Sequence, residues 1–149
     1  MINYIKDDVF KSKDQILIHG CNCFCVMGAG VALKVKQNYP RAYQVDQDTV
    51  SGQPSKLGDY SWSMQNHIYY PHITIIVINA YTQFGYSNKS QSVDYDAIRT
   101  VMSSINQNFP DESISMPKIG AGLGGGDWDK ISNIINSVFK TRDINVYFI

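Results

Sequence analysis

The stretch Gln15–Pro40, QILIHGCNCFCVMGAGVALKVKQNYP, decides the fold class. It opens on an apolar run of strand length, Gln15 to Cys21, that reads as buried on both faces. It then passes through Gly28-Ala29-Gly30 into a segment where Val31, Ala32, Val35 and Tyr39 share one helical face, and it stops at Pro40. A strand, a glycine turn and a helix in that order make the opening half of a βαβ unit.

The same grammar recurs along the chain. Ile2 to Ile5 reads as a first strand. Ile73 to Asn79, ITIIVIN, is the most apolar run and is expected to be central. Asp59–Met64 and His67–Tyr70 are more polar and read as edge strands. Ser113–Met116 and Asn145–Phe148 complete the set. Tyr95, Ile98, Val101, Met102, Ile105 and Phe109 have helical spacing, with Asp94 placed as a cap. Trp128, Ile131, Ile134, Ile135 and Val138 repeat the pattern after Asp127. Alternation of this kind predicts a mixed sheet between two layers of helices, a three-layer α/β/α sandwich. Ligands on such sheets sit at the carboxyl ends of strands. With 149 residues, no repeat, and only the short loop-like stretch Ser51–Gly58, one domain over 1–149 is expected.

Composition narrows the chemistry. There are 13 basic and 13 acidic residues, so nucleic acid is not expected as the main partner. No run approaches a membrane span and no leader is apparent, so a cytoplasmic protein without membrane association is expected. Cys21, Cys23 and Cys25 are odd in number and spaced C-x-C-x-C. They read as reduced, small fillers at a strand end rather than zinc ligands, which favour wider spacing and a second pair. No metal and no cofactor are expected.

The second chemical segment is Gly120-Ala-Gly-Leu-Gly-Gly-Gly126, where five of seven residues are glycine. A turn needs one or two glycines; five expose successive N–H groups with no Cβ in the way. Both glycine segments precede a helix, whose free N–H groups and dipole attract anions. Two such loops suit two adjacent phosphates. Neither continues into the Gly-Lys-Ser/Thr of a P-loop. The G-x-G-x-x-G match at Gly120, Gly122 and Gly125 lies too near the end of the chain for a dinucleotide fold.

These segments together resemble the macrodomain family. Ile16–Asn22, Met27-Gly-Ala-Gly-Val-Ala-Leu33 and Tyr39-Pro40 are similar to the family's first ligand loop. Met116-Pro-Lys-Ile-Gly-Ala-Gly-Leu-Gly124 with Trp128 is similar to its second, and Lys6-Asp-Asp8-Val9 to its adenine-binding turn. The resemblance spans essentially the whole chain and implies binding of ADP-ribose or a derivative; a monomer is expected. It implies that Asp8 accepts from the adenine amino group and that the Val9 N–H touches the ring. Asn22 would hold the distal ribose. Gly28, Gly30 and Val31 would frame the ribose and diphosphate, and Gly120, Gly122, Leu123 and Gly124 would clasp the diphosphate. As a different reading, Asp8 caps a turn.

ILIHGCNC most resembles the yeast-type ADP-ribose 1″-phosphate phosphatase branch. That resemblance implies hydrolysis of ADP-ribose 1″-phosphate to ADP-ribose and phosphate, with catalytic His19 and Asn22. His19 would shuttle a proton, its ordinary pKa lying near neutrality; alternatively it is a buried histidine held for structure. His67 and His72 read as structural or surface residues. A related branch that cleaves ADP-ribose from carboxylates uses a lysine and an aspartate where this chain has Gln83 and Gly124, so a lysine-dependent mechanism is not expected. Lys89 is nearby in sequence, and Phe84–Lys89 reads as a candidate lid. The other readings of the site are a non-catalytic ADP-ribose reader and a hydrolase of O-acyl or protein-linked ADP-ribose.

Overall fold

A computed structural model describes residues 1–86, 93–122 and 124–149. Six strands form one sheet in the order β1-β6-β5-β2-β4-β3: β1 (Ile2–Lys6), β2 (Ile16–Cys21), β3 (Tyr60–Asn66), β4 (Thr74–Tyr81), β5 (Ile114–Pro117) and β6 (Ile144–Phe148). All neighbours pair in parallel except β3, which runs antiparallel to β4, so the sheet is mixed as expected.

The strand alternation divides the core. Ile16, Ile18, Ile78 and Ala80 point to one face, where α3 (Tyr95–Asn108) and α4 (Trp128–Val138) bring Ile98, Met102, Ile105, Ile131 and Ile135. Leu17, Cys21, Val77 and Tyr81 point to the other, under α1 (Gly30–Asn38) and α2 (Pro40–Gln47) with Val35, Tyr39 and Ala42. Successive side chains of a strand point to opposite faces, so each apolar run supplies both cores at once.

Helix ends follow the capping signals. Asp94 accepts from the Ala97 N–H at 2.9 Å at the start of α3, and Asp127 accepts from the Asp129 N–H at 3.0 Å at the start of α4. Pro40 ends α1 and begins α2 at its first turn, where a missing N–H costs nothing; the sequence pattern marked only the stop.

Two strand expectations are corrected. His67–Tyr70 is not a strand. The His67 ring meets Ser12 O through Nε2 at 2.8 Å, and its Nδ1 accepts from the Tyr69 and Tyr70 amides, which closes a turn between β3 and β4. The apolar run of β4 is second from the edge, not central, although Val77, Ile78 and Ala80 are fully buried. The central pair is β5 and β2. There the connections diverge: β2 leads through α1 and α2 to one side of the sheet, while β4 returns through α3 to β5 on the other. Such a reversal leaves a crevice beyond the carboxyl ends of the strands. Among the described residues, no helix is long and apolar enough to cross a membrane.

Candidate functional site

The crevice holds a cavity of about 480 Å³. Its walls come from the exit of β2 (Gly20, Cys21, Asn22), the start of α1 (Gly28 to Ala32), the loop after β5 (Pro117 to Gly120, Gly122, Gly124), and Gln83 and Tyr86 after β4. The two glycine segments therefore face one space.

Each wall is shaped by its backbone. Gly30 has φ +59°, a left-handed conformation that turns the chain into α1. Leu33 N is bonded back to Ala29 O, so the Gly30, Val31 and Ala32 amides precede the helical ladder and have no acceptor among the described residues. On the other wall the loop folds on itself, with Gly126 N–H donating to Gly120 O at 2.7 Å and Gly125 N–H to Gly122 O at 3.1 Å. A Cβ at Gly126 would lie 2.6 Å from Val93 Cγ1 and 2.8 Å from Gly120 O. Only glycine fits that closure. The Gly120 and Gly122 amides also have no acceptor among the described residues. Leu123 and Lys89, and with Lys89 the end of the expected lid, lie outside the described residues.

Asn22 lines the cavity but also organises its wall. Its Oδ1 accepts from the Phe24 amide at 2.9 Å, and its Nδ2 donates to Val26 O at 2.9 Å. One amide hydrogen is left without an acceptor among the described residues. Asp8 and Val9 lie outside the cavity wall, in the turn after β1. Asp8 Oδ1 accepts from the Phe10 amide at 3.0 Å and so caps that turn, with the second carboxylate oxygen unused among the described residues.

His19 is placed differently from the expectation of a proton shuttle. It shares a face with Leu17 and Cys21 on β2 and is opposite Asn79 on β4. The ring is buried, with Nε2 2.6 Å from Asn79 Oδ1, and it does not reach the cavity wall. Burial pushes its pKa down from 6.5 to about 4, against the Asn79 hydrogen bond, so it is neutral at pH 7. Asn79 in turn donates to Ala42 O and Ser61 Oγ, and Ser61 meets Tyr81 Oη, which donates to Asp46 at 2.7 Å. His19 thus belongs to a polar network that fastens α2 to the sheet.

Burial also raises the pKa of the Cys21 and Cys23 thiols, which stay protonated. All three cysteines are free thiols. No group of three or more His, Cys, Asp or Glu able to hold a metal occurs among the described residues.

Three wall residues were not placed at the cavity by sequence reasoning. Lys118 is the one charged side chain among the described wall residues, with Nζ 5.3 Å from the Phe148 ring centre. Gln83 donates to Gly85 O and lies 3.2 Å from where a Gly124 Cβ would stand, so the positions of the related branch's lysine and aspartate do adjoin. Tyr86 forms part of the rim. Lys118 follows Met116-Pro117, but nothing in the sequence says that a lysine there borders the cavity.

Comparison with known proteins gives concordant results. The Macro domain family model matches residues 18–135. An uncharacterized 17.5 kDa protein in the tk-vs intergenic region of Enterobacteria phage T4 is 33% identical, covering 97% of this chain and 94% of the phage protein. The ADP-ribose 1″-phosphate phosphatase of Debaryomyces hansenii is 27% identical over 100% of this chain and 99% of that protein. The solved macrodomain of Mycobacterium tuberculosis DarG superposes with a TM-score of 0.78 at 23% identity, covering 99% and 97% of the two chains.

Proposed function

On the premise that the chain belongs to the macrodomain family, we propose that its cavity binds ADP-ribose derivatives and that it hydrolyses ADP-ribose 1″-phosphate to ADP-ribose and phosphate. One observation carries the reading. Amides without acceptors among the described residues line both walls of one cavity, from Gly30, Val31 and Ala32 on one side and Gly120 and Gly122 on the other. Rows of this kind fit adjacent anionic oxygens without needing cationic side chains. The described wall carries no carboxylate to repel a diphosphate, and its volume lies in the range of small-molecule sites. Full-length similarity to an ADP-ribose 1″-phosphate phosphatase supports the reaction class.

Asp8 retains an oxygen for the adenine amino group, and the Val9 amide has no acceptor among the described residues. Asn22 directs its remaining amide hydrogen at the terminal ribose. Gly28, Gly30 and Val31 frame that ribose and its phosphate; Gly120, Gly122, Leu123 and Gly124 hold the diphosphate. Water attacks phosphorus, the bond from phosphorus to the C1″ oxygen breaks, and that oxygen takes a proton from solvent. Phosphoryl transfer asks the protein mainly for alignment and charge stabilisation, which amides at a helix start can supply. His19 is a positioning residue here, since its ring is neutral and faces α2. It fixes Asn79 and the exit of β2 that carries Asn22.

A non-catalytic ADP-ribose reader is the second reading. It is favoured by the wall residues, which among those described include no histidine and no carboxylate, while burial pushes the Cys21 thiol up. Phosphate release from ADP-ribose 1″-phosphate, run beside ADP-ribose release from O-acetyl-ADP-ribose, separates these readings. Saturable phosphate release is expected. A preparation that binds ADP-ribose and releases neither product is a reader; one that acts only on the acylated sugar is an esterase.

A further inference from the structure

The three thiols have no part in hydrolysis of a sugar phosphate, and they are not equivalent. Cys21 and Cys23 are buried, and burial pushes both thiols up. Cys25 is partly exposed. Its sulfur donates to Asp46 O at 3.2 Å and accepts from Lys56 Nζ, 31 residues further along the chain, at 3.5 Å. A partly exposed thiol and a primary amine thus stand side by side, and neither belongs to the cavity wall.

The environment of Lys56 is unusual for a lysine. The residue is 8% exposed, its Nζ also donates to Cys23 O at 3.0 Å, and Nζ stands 4.7 Å from the Tyr81 ring centre. Lysines are almost never this buried unless paired; the partners of this Nζ are a carbonyl, a ring face and the Cys25 sulfur. The sulfur is held there by its backbone. Cys25 has φ +60°, the left-handed region, which a residue with a side chain keeps only where its surroundings enforce it. Gln47 Nε2 donates to Cys25 O at 2.7 Å, Ser51 Oγ to Phe24 O at 3.1 Å, and the Gly52 amide to Cys23 O at 2.7 Å. The segment leading to Lys56 therefore grips residues 23–25 and fixes sulfur against nitrogen.

We propose that Cys25 and Lys56 are a modification site for hydrogen peroxide, closing a covalent sulfenamide between Sγ and Nζ. The Cys25 sulfur attacks one oxygen of the peroxide. An S–O bond forms, the O–O bond breaks, and the second oxygen leaves with the thiol proton as water. Sulfur is oxidised to the sulfenic acid and the peroxide is reduced. Lys56 Nζ, having released one proton to solvent, then attacks the sulfenic sulfur. An N–S bond forms, the S–O bond breaks, and hydroxide leaves with a proton from the nitrogen as a second water. One thiol, one amine and one peroxide become one sulfenamide and two waters. Backbone nitrogens trap sulfenic acids in the same way; here the lysine nitrogen already touches the sulfur. The bridge halts oxidation at a level that thiols reverse, short of the irreversible sulfinic acid.

Peptide mapping tests the bridge. The folded protein is treated with hydrogen peroxide, its remaining thiols are alkylated, and it is digested with trypsin. A bridged Lys56 resists cleavage, so Asp14–Lys34, which holds all three cysteines, should be found joined to Ala42–Lys89. The joined species should carry the summed mass of the two peptides less two hydrogens, and dithiothreitol should separate them. In Lys56→Arg, which keeps the positive charge but lacks the amine, the joined species should disappear and Cys25 should proceed to the sulfinic acid. Circular dichroism checks that this variant folds; Cys25→Ser, at a partly exposed position, should abolish the joined species in the same way. A disulfide confined to Asp14–Lys34 would overturn the proposal. So would Cys25 sulfinic acid in the unmodified protein with no joined peptide, a Cys25 that peroxide leaves unchanged, or a joined species that survives either substitution.

Discussion

Replacing His19 by glutamine should alter how stability depends on pH, and leave the pH profile of turnover in place. Burial holds the folded His19 near pKa 4, whereas an unfolded chain titrates it at its ordinary 6.5. Between those values the unfolded state binds a proton that the folded state refuses. The stability contributed by a neutral, buried His19 is therefore complete above pH 6.5 and is lost as pH falls toward 4. The gap corresponds to about 3 kcal/mol in all, of which about 2 kcal/mol is gone by pH 5. For a chain of this size that is a fall in Tm of about 4–8 °C. Urea denaturation at pH 7.5, 6 and 5 gives the free energies. The stability difference between the unmodified protein and His19→Gln should shrink by about 2 kcal/mol from pH 7.5 to 5, whatever the variant's absolute stability. Parallel curves would refute the buried neutral imidazole. So would a turnover inflection near pH 6.5 that disappears in His19→Gln, which would return the residue to proton transfer.

The glycine loop separates folding from binding. Gly126→Ala drives a Cβ against Val93 and Gly120 O and should cost about 1–3 kcal/mol by thermal denaturation, whereas Gly122→Ala meets nothing within 4 Å and should leave Tm within about 1 °C. Tyr81→Phe removes the hydroxyl between Asp46 at 2.7 Å and Ser61 at 2.8 Å. It leaves a buried carboxylate short of a partner and should cost about 1–3 kcal/mol in chemical denaturation, with ADP-ribose affinity unchanged.

Much of the architecture was legible because its signals are local. Asp94 and Asp127 cap helices within three residues of their own position, and the 3.6-residue spacing of Ile98, Met102 and Ile105 needs no distant partner. The glycine loops were legible for the same reason: five glycines in seven residues describe their own backbone. What the sequence withheld depends on tertiary neighbours. His67 looked like part of a strand until its ring found Ser12 O, 55 residues away. His19 looked catalytic because it stands at a strand end near glycines. Both faces of β2 are apolar, so no pattern in residues 16–21 shows which face lies under α2, and its partner Asn79 comes from another strand. Lys118 and Tyr86 were missed because their places at the cavity's edge follow from where β5 and the segment after β4 leave the sheet.

The claim on which the rest depends is that main-chain amides from two loops hold the diphosphate together. Amide-resolved nuclear magnetic resonance tests it directly, because the 11 glycines report separately. Titration with ADP-ribose should move the Gly28, Gly30, Gly120 and Gly122 amide signals to a common saturation point, while Gly52 and Gly58, which are not part of the cavity wall, stay in place. Saturable binding that leaves those four signals unmoved, or no saturation at any ADP-ribose concentration, would contradict the account.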